Sequence, residues 1–371
     1  MRIIRMIPEN VTREFISFIN YSPRGTLSSR LRFELARVKN SLMRPPFLPT
    51  MVLLSLNLAC ASDLRIGIVG CDTSHVVAFT ELFQNTNAPG YVAGGHVTAA
   101  YKGGSQDIPS SASRVEGFSK TLAEKYGVKF YPTIEELVEN VDAVLLESVD
   151  GRTHLRQIRP IIQARKPVFV DKPVAGSLRE VITIYRLARE NNVPIFSSSA
   201  YRYYDGLVQL QTATKAGVRA AISYGPSELE PHHPDLFWYG IHATEALFTV
   251  LGPGCETVTR ASTKETDVVT GTWGEGRTGV LYGLRTGVTP HKVIAFTNEG
   301  VKEQSGDGEY APLVKEIMRF FQTGVGPVPP EVTIEIYGFM EAADESKRRG
   351  GKPIRIADVM RKNGQASARK F

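Results

Sequence analysis

Cysteine is scarce in this sequence, whose 371 residues include Cys60, Cys71 and Cys255 and no others. Cys60 lies in an N-terminal segment that reads as removable, and the remaining two are too few for a disulfide framework. The chain must therefore fold around apolar cores, and its length allows two domains with one core each. Its hydrophobic content of 42% and charged content of 22% are those of an ordinary soluble globular protein.

An apolar stretch near the N-terminus, Met51–Ala59, is shorter than the roughly 20 residues that a membrane-spanning helix needs. It follows Arg44 and leads into Ala59-Cys60-Ala61, which fits a small-x-small cleavage site. We expect residues 1–61 to be a leader that contains a signal peptide, with Met43 as a suitable start. This predicts an exported protein, periplasmic or secreted. The alternative is a basic N-terminus on a cytoplasmic protein.

An excess of basic charge is missing from the body of the chain, although the pI is about 9.1. Residues 1–61 hold nine Lys and Arg against three Glu, which accounts for the whole net charge of +6. Residues 62–371 hold 35 charged residues of each sign, with no basic stripe interleaved with aromatic residues. We therefore expect no nucleic-acid partner.

Strand-like and helix-like segments alternate from residue 64 to about residue 197. Apolar runs such as Ala143–Glu147 and Pro167–Val170 indicate buried strands, and amphipathic segments such as Leu178–Glu190 indicate helices between them. This alternation predicts an α/β fold with a parallel sheet and helices on both faces. Later segments predict a second, large open mixed or antiparallel sheet with two closing helices. We place the domains at 62–203 and 204–356, followed by a flexible basic tail at 357–371.

The chain is organised around a strand, turn and helix at Leu64–Leu82. Leu64–Val69 is short and aliphatic, which predicts a buried strand, and a helix pattern starts at His75. A strand, a glycine turn and a helix N-terminus form a common phosphate-binding unit. Two glycines of the G-x-G-x-x-G pattern are missing, because the turn reads Gly70-Cys71-Asp72-Thr73-Ser74-His75. Asp72 adds bulk and negative charge where a pyrophosphate would lie.

Two residues are candidates for catalysis. Asp171-Lys172-Pro173 ends a strand at the carboxyl edge of the sheet, where Lys172 can stabilise a developing alkoxide. His242 lies in a helix predicted over Leu236–Leu251, and a neutral imidazole near pH 7 can take up a hydroxyl proton. Each also has a structural interpretation, as a lysine that ends a surface strand and as a histidine in a helix core.

These motifs resemble the glucose–fructose oxidoreductase / inositol dehydrogenase (Gfo/Idh/MocA) family from about Arg65 to Ile356. The resemblance implies a Rossmann nucleotide-binding domain, a C-terminal substrate and oligomerisation domain, NAD or NADP as cofactor, and a sugar or polyol substrate. Lys172 matches the family lysine, and Tyr239-Gly240-Ile241-His242 matches the segment that carries its catalytic histidine. His154 matches the histidine that opens the helix after the nicotinamide-side loop, and Tyr201-Arg202 matches the pair at the domain junction.

The chain departs from the family pattern in two further places. After the second strand, Tyr101-Lys102-Gly103-Gly104-Ser105 replaces the expected acid for the adenosine ribose. Lys102 and Ser105 suit a 2′-phosphate better than a free diol, which favours NADP over NAD. Four residues before His242, where the family often has aspartate, this chain has Trp238. The histidine therefore lacks the carboxylate that would orient it.

The resemblance and the motifs together predict a complete site. The expected catalytic residues are Lys172 and His242. The residues expected at the cofactor are Gly70, Cys71, Asp72, Thr73, Ser74, His75, Tyr101, Lys102, Ser148, His154 and Asp171. Those expected at the substrate are Tyr201, Arg202, His232, His233 and Trp238. The polar cluster Glu228, Glu230, His232, His233 and Asp235 is interpreted as a substrate loop with a helix cap, and a divalent metal is the alternative.

We therefore expect an NAD(P)-dependent oxidoreductase that transfers hydride to or from a sugar or polyol. Lys172 would polarise the reacting oxygen and His242 would act as general acid/base, in a homo-oligomer without metal. One alternative is glycosidase-type chemistry, in which a tightly held NAD oxidises the sugar transiently. Another is a cofactor-free binding or scaffold protein of the same fold, which the altered turn and the predicted export favour.

Overall fold

The computed structural model describes residues 63–214 and 217–365. The predicted leader, with its signal peptide and cleavage site at residues 1–61, lies outside the described residues. The end of the predicted tail, residues 366–371, lies outside them too. None of the helices in the described ranges combines the length and the apolar character needed to cross a membrane.

Six strands pair in parallel to form the first sheet. They are β1 (Leu64–Val69), β2 (Gly95–Tyr101), β3 (Lys129–Phe130), β4 (Ala143–Leu146), β5 (Val168–Val170) and β6 (Ile195–Phe196). Their spatial order is β3-β2-β1-β4-β5-β6, so the strand order reverses between β1 and β4. Ligand crevices form outside the carboxyl ends of strands at such a switch point.

Six helices flank this sheet. They are α1 (His75–Gln84), α2 (Pro109–Ala112), α3 (Val115–Tyr126), α4 (Ile134–Glu139), α5 (Gly151–Gln163) and α6 (Leu178–Glu190). Ser177 caps α6, and its side chain accepts the Glu180 N–H. The sequence predicts Thr153 as the cap of α5, but Asp150 takes that place and accepts the Arg152 N–H at 2.9 Å. The short helix α2 lies in a segment that the sequence predicts to be a loop.

Seven strands form the second sheet. They are β7 (Val218–Pro226), β8 (Cys255–Ser262), β9 (Thr266–Trp273), β10 (Thr278–Leu284), β11 (Lys292–Thr297), β12 (Gly300–Glu303) and β13 (Ile354–Arg355). Their order is β12-β11-β7-β10-β9-β8-β13. β7 and β10 are parallel, and the other neighbouring pairs are antiparallel. The predicted α/β class, with a parallel sheet and a second mixed sheet, is confirmed.

Six more helices accompany the second sheet. They are α7 (Asp205–Ala213), α8 (Asp235–Trp238), α9 (Ile241–Leu251), α10 (Ala311–Thr323), α11 (Pro330–Arg348) and α12 (Ile356–Lys362). The predicted helix Leu236–Leu251 is divided between α8 and α9. The division occurs because Tyr239 leaves helical geometry, with a φ of −127°. The break turns the chain just before His242.

Helix α10 follows the second sheet in the chain but packs against the first. Ile317 shares a buried cluster with Ile66 and Phe79. The rings of Phe320 and Phe196 meet edge to face, with centroids 4.8 Å apart. The chain therefore returns to the first sheet after building the second.

A second apolar core is continuous between the two sheets. It contains Val144 of the first sheet, Val269 of the second sheet and Leu247 of α9, all fully buried. The buried apolar area that connects the sheets holds the carboxyl edge of the first sheet against α9. This contact positions the cavity described below.

The start of the predicted flexible tail is a helix, α12, which occupies Ile356–Lys362. Val359 and Met360 are buried, and the Met360 side chain fills the space above Gly338 of α11. The first residues of the tail are therefore ordered by packing, which the polar composition of the tail does not predict.

A fully buried arginine, Arg260, anchors the end of the second sheet. Its guanidinium contacts Asp267 at 2.7 Å and Asp235 at 2.8 Å, and it also pairs with Asp344. Buried charges of this kind are tolerated only when they are paired, because desolvation of an isolated ion costs several kcal/mol.

Replacing Arg260 by methionine leaves the buried Asp344 without its ion-pair partner and removes one of the cations that pair with Asp235 and Asp267. We expect Arg260→Met to lower the free energy of unfolding by about 3–5 kcal/mol. Urea denaturation of the full chain measures the change. The control is Arg319→Met, which breaks an exposed ion pair with Glu316 and should change stability by less than about 0.5 kcal/mol. Equal effects of the two substitutions would contradict the prediction.

Candidate functional site

A cavity of about 430 Å³ lies where the carboxyl edge of the first sheet meets helices α8 and α9. The turn after β1 and the Lys172-Pro173 segment after β5 form one side of it. A short 3₁₀ helix at Ala200–Tyr203 and the residue before it, Ser199, form another. Predicted site residues in its wall are Thr73, Ser74, His75, Lys172, Tyr201, Trp238 and His242. The sequence patterns therefore identify residues of this cavity in both halves of the chain.

The turn after β1 keeps its tight bend at Gly70, which has a φ of +92°. Asp72 is fully buried and is not in the cavity wall. Its carboxylate accepts the Val149 N–H at 2.9 Å and the Ser111 hydroxyl at 2.5 Å. The expectation that Asp72 places its charge at a phosphate position is therefore wrong, because these two donors turn the carboxylate inward. Burial raises the pKa of Asp72.

Two further acids lie under the N-terminus of α1. Asp171 Oδ2 is 2.8 Å from His75 Nδ1. Burial alone would raise the pKa of Asp171, but His75 and Lys172 outweigh it, so this pKa lies below its usual range. Glu147 was missed by sequence reasoning. It is fully buried, and neither of its carboxylate oxygens has a hydrogen-bond partner among the described residues.

The environment of Glu147 favours its neutral form. Burial raises its pKa well above the usual range, and the nearby carboxylates of Asp171 and Asp72 raise it further. A protonated Glu147 spares this edge of the sheet a third buried negative charge. Its only sequence signal is an acid at the end of an otherwise aliphatic strand.

His242 faces the cavity from the first turn of α9. Ser199 Oγ lies 2.7 Å from its Nδ1. Burial lowers the pKa of His242 well below its usual range, and the positive charge of Lys172 lowers it further. The ring is therefore neutral near pH 7 and is available for hydrogen bonding to an uncharged substrate.

His291, just before β11, is a second cavity histidine that sequence reasoning missed. Its ring lies 5.5 Å from that of His242 and 4.9 Å from that of Tyr201, measured between centroids. Burial lowers the pKa of His291 to about 4. No sequence motif surrounds His291. It reaches the cavity only because β11 pairs within the second sheet.

Other residues predicted at the cofactor lie behind the cavity wall. Cys71 is fully buried, and burial raises the pKa of its thiol. The His154 ring lies between the carbonyl oxygens of Ser148 and Val174, at 2.8 and 3.1 Å, where it ties two loops together. Lys102 at the end of β2 pairs with Glu116 at 2.8 Å. Tyr101 precedes it in β2 and is outside the cavity wall.

The remaining residues predicted at the substrate form ion pairs and hydrogen bonds around the cavity. Arg202 Nε donates to Glu245 at 2.7 Å. His233 Nε2 lies 3.2 Å from Asp150 Oδ1, which connects the second half of the chain to α5. His232 pairs with the carboxylate of Glu230 at 2.6 Å.

The polar cluster before α8 is dispersed in the structure. Asp235 turns to Arg260 and Lys347, whereas the two histidines turn to other partners. In the part of the chain that the structure describes, no three His, Cys, Asp or Glu side chains are grouped so that they could hold a metal ion.

The start of α1 fits a phosphate group. Thr73 and Ser74 line the cavity, and Ser74 makes no side-chain capping hydrogen bond to the helix. The partial positive charge of the helix N-terminus is thus left for an anion. Since Asp72 is turned inward, the residues present are compatible with the phosphates of a dinucleotide.

Comparison with known proteins agrees with this geometry. Residues 64–199 match the Gfo/Idh/MocA model, described as an oxidoreductase family with an NAD-binding Rossmann fold. An uncharacterized oxidoreductase of Streptococcus pneumoniae serotype 4 is 23% identical over 158 residues. That match covers 38% of this chain and 43% of the relative, so the chain spans less than half of the relative's length.

Solved structures share the fold over most of the chain. A probable dehydrogenase from Thermotoga maritima aligns with a TM-score of 0.66 and 20% identity, covering 80% of this chain and 100% of that one. Scyllo-inositol dehydrogenase from Lactobacillus casei, with bound NAD(H) and scyllo-inositol, aligns with a TM-score of 0.66 and 13% identity. It covers 80% of this chain and 100% of its own. These structures confirm the predicted fold, and the family model confirms the predicted resemblance over residues 64–199.

The lowered pKa of His291 predicts an acid-dependent loss of stability. The unfolded chain takes up a proton on this histidine below a pH of about 6.5, whereas the folded chain does so only near pH 4. The stability gained from the neutral ring is therefore present above pH 6.5 and is lost as the pH falls through 4. We expect His291→Gln to lose less unfolding free energy than the parent between pH 7 and pH 5, as measured by urea denaturation.

The control for this experiment is His96→Gln, at an exposed ring paired with Asp63. It should follow the parent more closely than His291→Gln does. An equal loss of stability in His291→Gln and the parent would contradict the prediction.

Proposed function

We propose that the chain is a member of the Gfo/Idh/MocA oxidoreductase family, as its match over residues 64–199 supports, and that it is an NAD(P)-dependent oxidoreductase acting on a sugar or polyol. Hydride would pass between a substrate carbon and the nicotinamide. One observation carries the proposal: Lys172 and His242 line the same cavity as Thr73 and Ser74 at the start of α1. Anion-binding and proton-handling groups thus share one space.

The residues that would hold the cofactor lie along the carboxyl edge of the first sheet. Thr73, Ser74 and the first turn of α1 would receive the phosphates. The cofactor would supply or accept the hydride. The side chains of Trp238, Tyr239 and Tyr310 line the cavity and would limit the access of water to the reacting atoms.

Lys172 and His242 would act on the reacting oxygen. The Lys172 ammonium has no hydrogen-bond or ion-pair partner among the contacts of the described residues, which leaves its donors for a ligand. A cation beside that oxygen stabilises the negative charge that develops on it. We propose that His242 hydrogen-bonds the same oxygen and takes part in its proton exchange, because its imidazole lies in the same wall.

A sugar or polyol fits the polar character of the cavity. The wall carries hydroxyl groups from Ser110, Tyr204 and Tyr239, along with the His291 ring. Such groups pair with the several hydroxyls of a polyol. The bound scyllo-inositol in the Lactobacillus casei relative supports this substrate class.

Cofactor binding and turnover test the proposal together. The full chain should bind NAD or NADP in calorimetry, and Lys172→Ala and His242→Ala should retain that binding. Each variant should lower kcat on a reactive sugar or polyol by about 10²-fold or more, since each loses charge stabilisation or proton exchange. Absorbance at the reduced nicotinamide band follows turnover.

Lys120→Ala is the control for Lys172→Ala, because Lys120 is exposed on α3 and pairs loosely with Glu124. It should keep full activity. If neither NAD nor NADP binds at millimolar concentration, the oxidoreductase proposal fails and the cofactor-free binding protein is favoured. A fully active His242→Ala would remove that residue from the mechanism.

We also propose that the protein is a homo-oligomer that associates through the open face of the second sheet. Ile222 of β7, Val280 of β10 and Ile294 of β11 are register neighbours on one face. They are half-buried, whereas the alternating residues of these strands are buried beneath α9. An apolar sheet face of this kind is typical of an interface between protein chains.

A charge on this face should disrupt the oligomer. We expect Val280→Glu to reduce the mass measured by light scattering to that of the monomer, because burial of the new carboxylate is costly. Val288→Glu introduces the same charge on a fully exposed loop residue and should leave the mass unchanged. A monomeric parent protein, or an unchanged mass for Val280→Glu, would contradict the proposal.

A further inference from the structure

The carboxylate that commonly orients the family's histidine is absent here, and a serine hydroxyl forms a hydrogen bond with the His242 ring instead. Trp238 stands four residues before His242, and its indole cannot accept a hydrogen bond. Instead, Ser199 Oγ lies 2.7 Å from His242 Nδ1. Ser199 is 1% exposed, so its hydroxyl is largely shielded from bulk water. The sequence gives no sign of the pair, since 43 residues separate its members.

Ser199 is itself held firmly. Its backbone N–H donates to Glu245 Oε2 at 2.8 Å. The other oxygen of that carboxylate accepts the Ser198 hydroxyl at 2.6 Å and Arg202 Nε at 2.7 Å. Glu245 lies three residues after His242 on α9, so the same helix positions both the imidazole and the carboxylate that anchors its partner.

The hydrogen bonds at Ser199 Oγ decide which group is the donor. The Tyr201 N–H donates to this oxygen at 3.1 Å. Its other hydrogen-bond partner among the described residues is His242 Nδ1. If Nδ1–H also donated to the oxygen, the hydroxyl hydrogen would be buried without an acceptor, which is costly. If the hydroxyl donates to Nδ1, its hydrogen has an acceptor within the protein, and the second ring nitrogen is left to the cavity.

We infer that Ser199 is a positioning residue that holds neutral His242 with its proton on Nε2. The Nε2–H then points to the cavity, because Nδ1 is occupied by Ser199. Together with the Lys172 ammonium, it presents two donors to a substrate oxygen, and the ammonium, which becomes a neutral amine, supplies the proton that the reduced oxygen takes up. Two donors are complementary to an oxygen that only accepts, which is the carbonyl form of a sugar or polyol. This consequence for the substrate rests on the proposed function, but the tautomer does not.

Nitrogen NMR of the full chain labelled with ¹⁵N-histidine tests the tautomer without substrate or cofactor. The chain has seven histidines, and the His242 signals are those missing in His242→Gln. At pH 7 we expect a protonated Nε2 and an unprotonated Nδ1. Ser199→Ala should shift both signals toward the average of two exchanging tautomers, and Ser199→Thr, which keeps the hydroxyl, should restore them.

Ser223→Ala is the matched control, because Ser223 is a fully buried serine of β7 whose hydroxyl has no hydrogen-bond partner among the described residues. It should leave the His242 signals unchanged. A parent protein with the proton on Nδ1, or unchanged signals in Ser199→Ala, would overturn the inference. Should Ser199→Ala fail to fold, the parent tautomer and the Ser199→Thr spectrum still decide.

Turnover provides the second readout. Ser199→Ala should lower kcat for reduction of a carbonyl substrate by roughly tenfold, the effect of losing one neutral hydrogen bond, with little change in KM. Ser199→Thr should recover most of that loss. If no sugar or polyol is turned over while the NMR result holds, the proposed function fails and the positioning role of Ser199 stands.

Discussion

The site depends on two hydrogen bonds that hold the buried Asp72 carboxylate away from the cavity. Its two oxygens join the turn after β1 to the backbone after β4 and to Ser111 in the segment after β2. Those three segments meet at the switch point of the first sheet, where a Rossmann fold binds its ligand. An acid at the second glycine position is therefore compatible with an open turn. The carboxylate serves as an internal crosslink, and the start of α1 remains directed to the cavity.

The active cavity is built from groups that no single element could bring together. The first sheet supplies Lys172 and the start of α1, α9 supplies His242, and the loop before β11 supplies His291. The apolar core shared by the two sheets fixes their separation. Because this core is made by close packing, small shifts of α9 would be resisted by many contacts at once. The low pKa values of both histidines follow from the same burial.

The electrostatic balance near α1 explains how several acids share one edge of the sheet. Asp171 is compensated by His75, whereas Glu147 has no such partner and favours its protonated form. Asp72 receives two hydrogen bonds instead of a counter-charge. At His242 the usual carboxylate is replaced by a serine hydroxyl, which orients the ring without stabilising an imidazolium. The protein thus limits the buried negative charge at this edge of the sheet.

Local sequence patterns determined the elements and most of their bounds. The motifs around the start of α1, Lys172 and His242 identified the fold and part of the wall of one cavity, because strand burial and helix periodicity are local properties. The break at Tyr239, the order in α12, the inward turn of Asp72 and the contact between Ser199 and His242 depended on the tertiary structure. Each results from packing or hydrogen bonding between residues far apart in the chain, and no local pattern encodes such a distance.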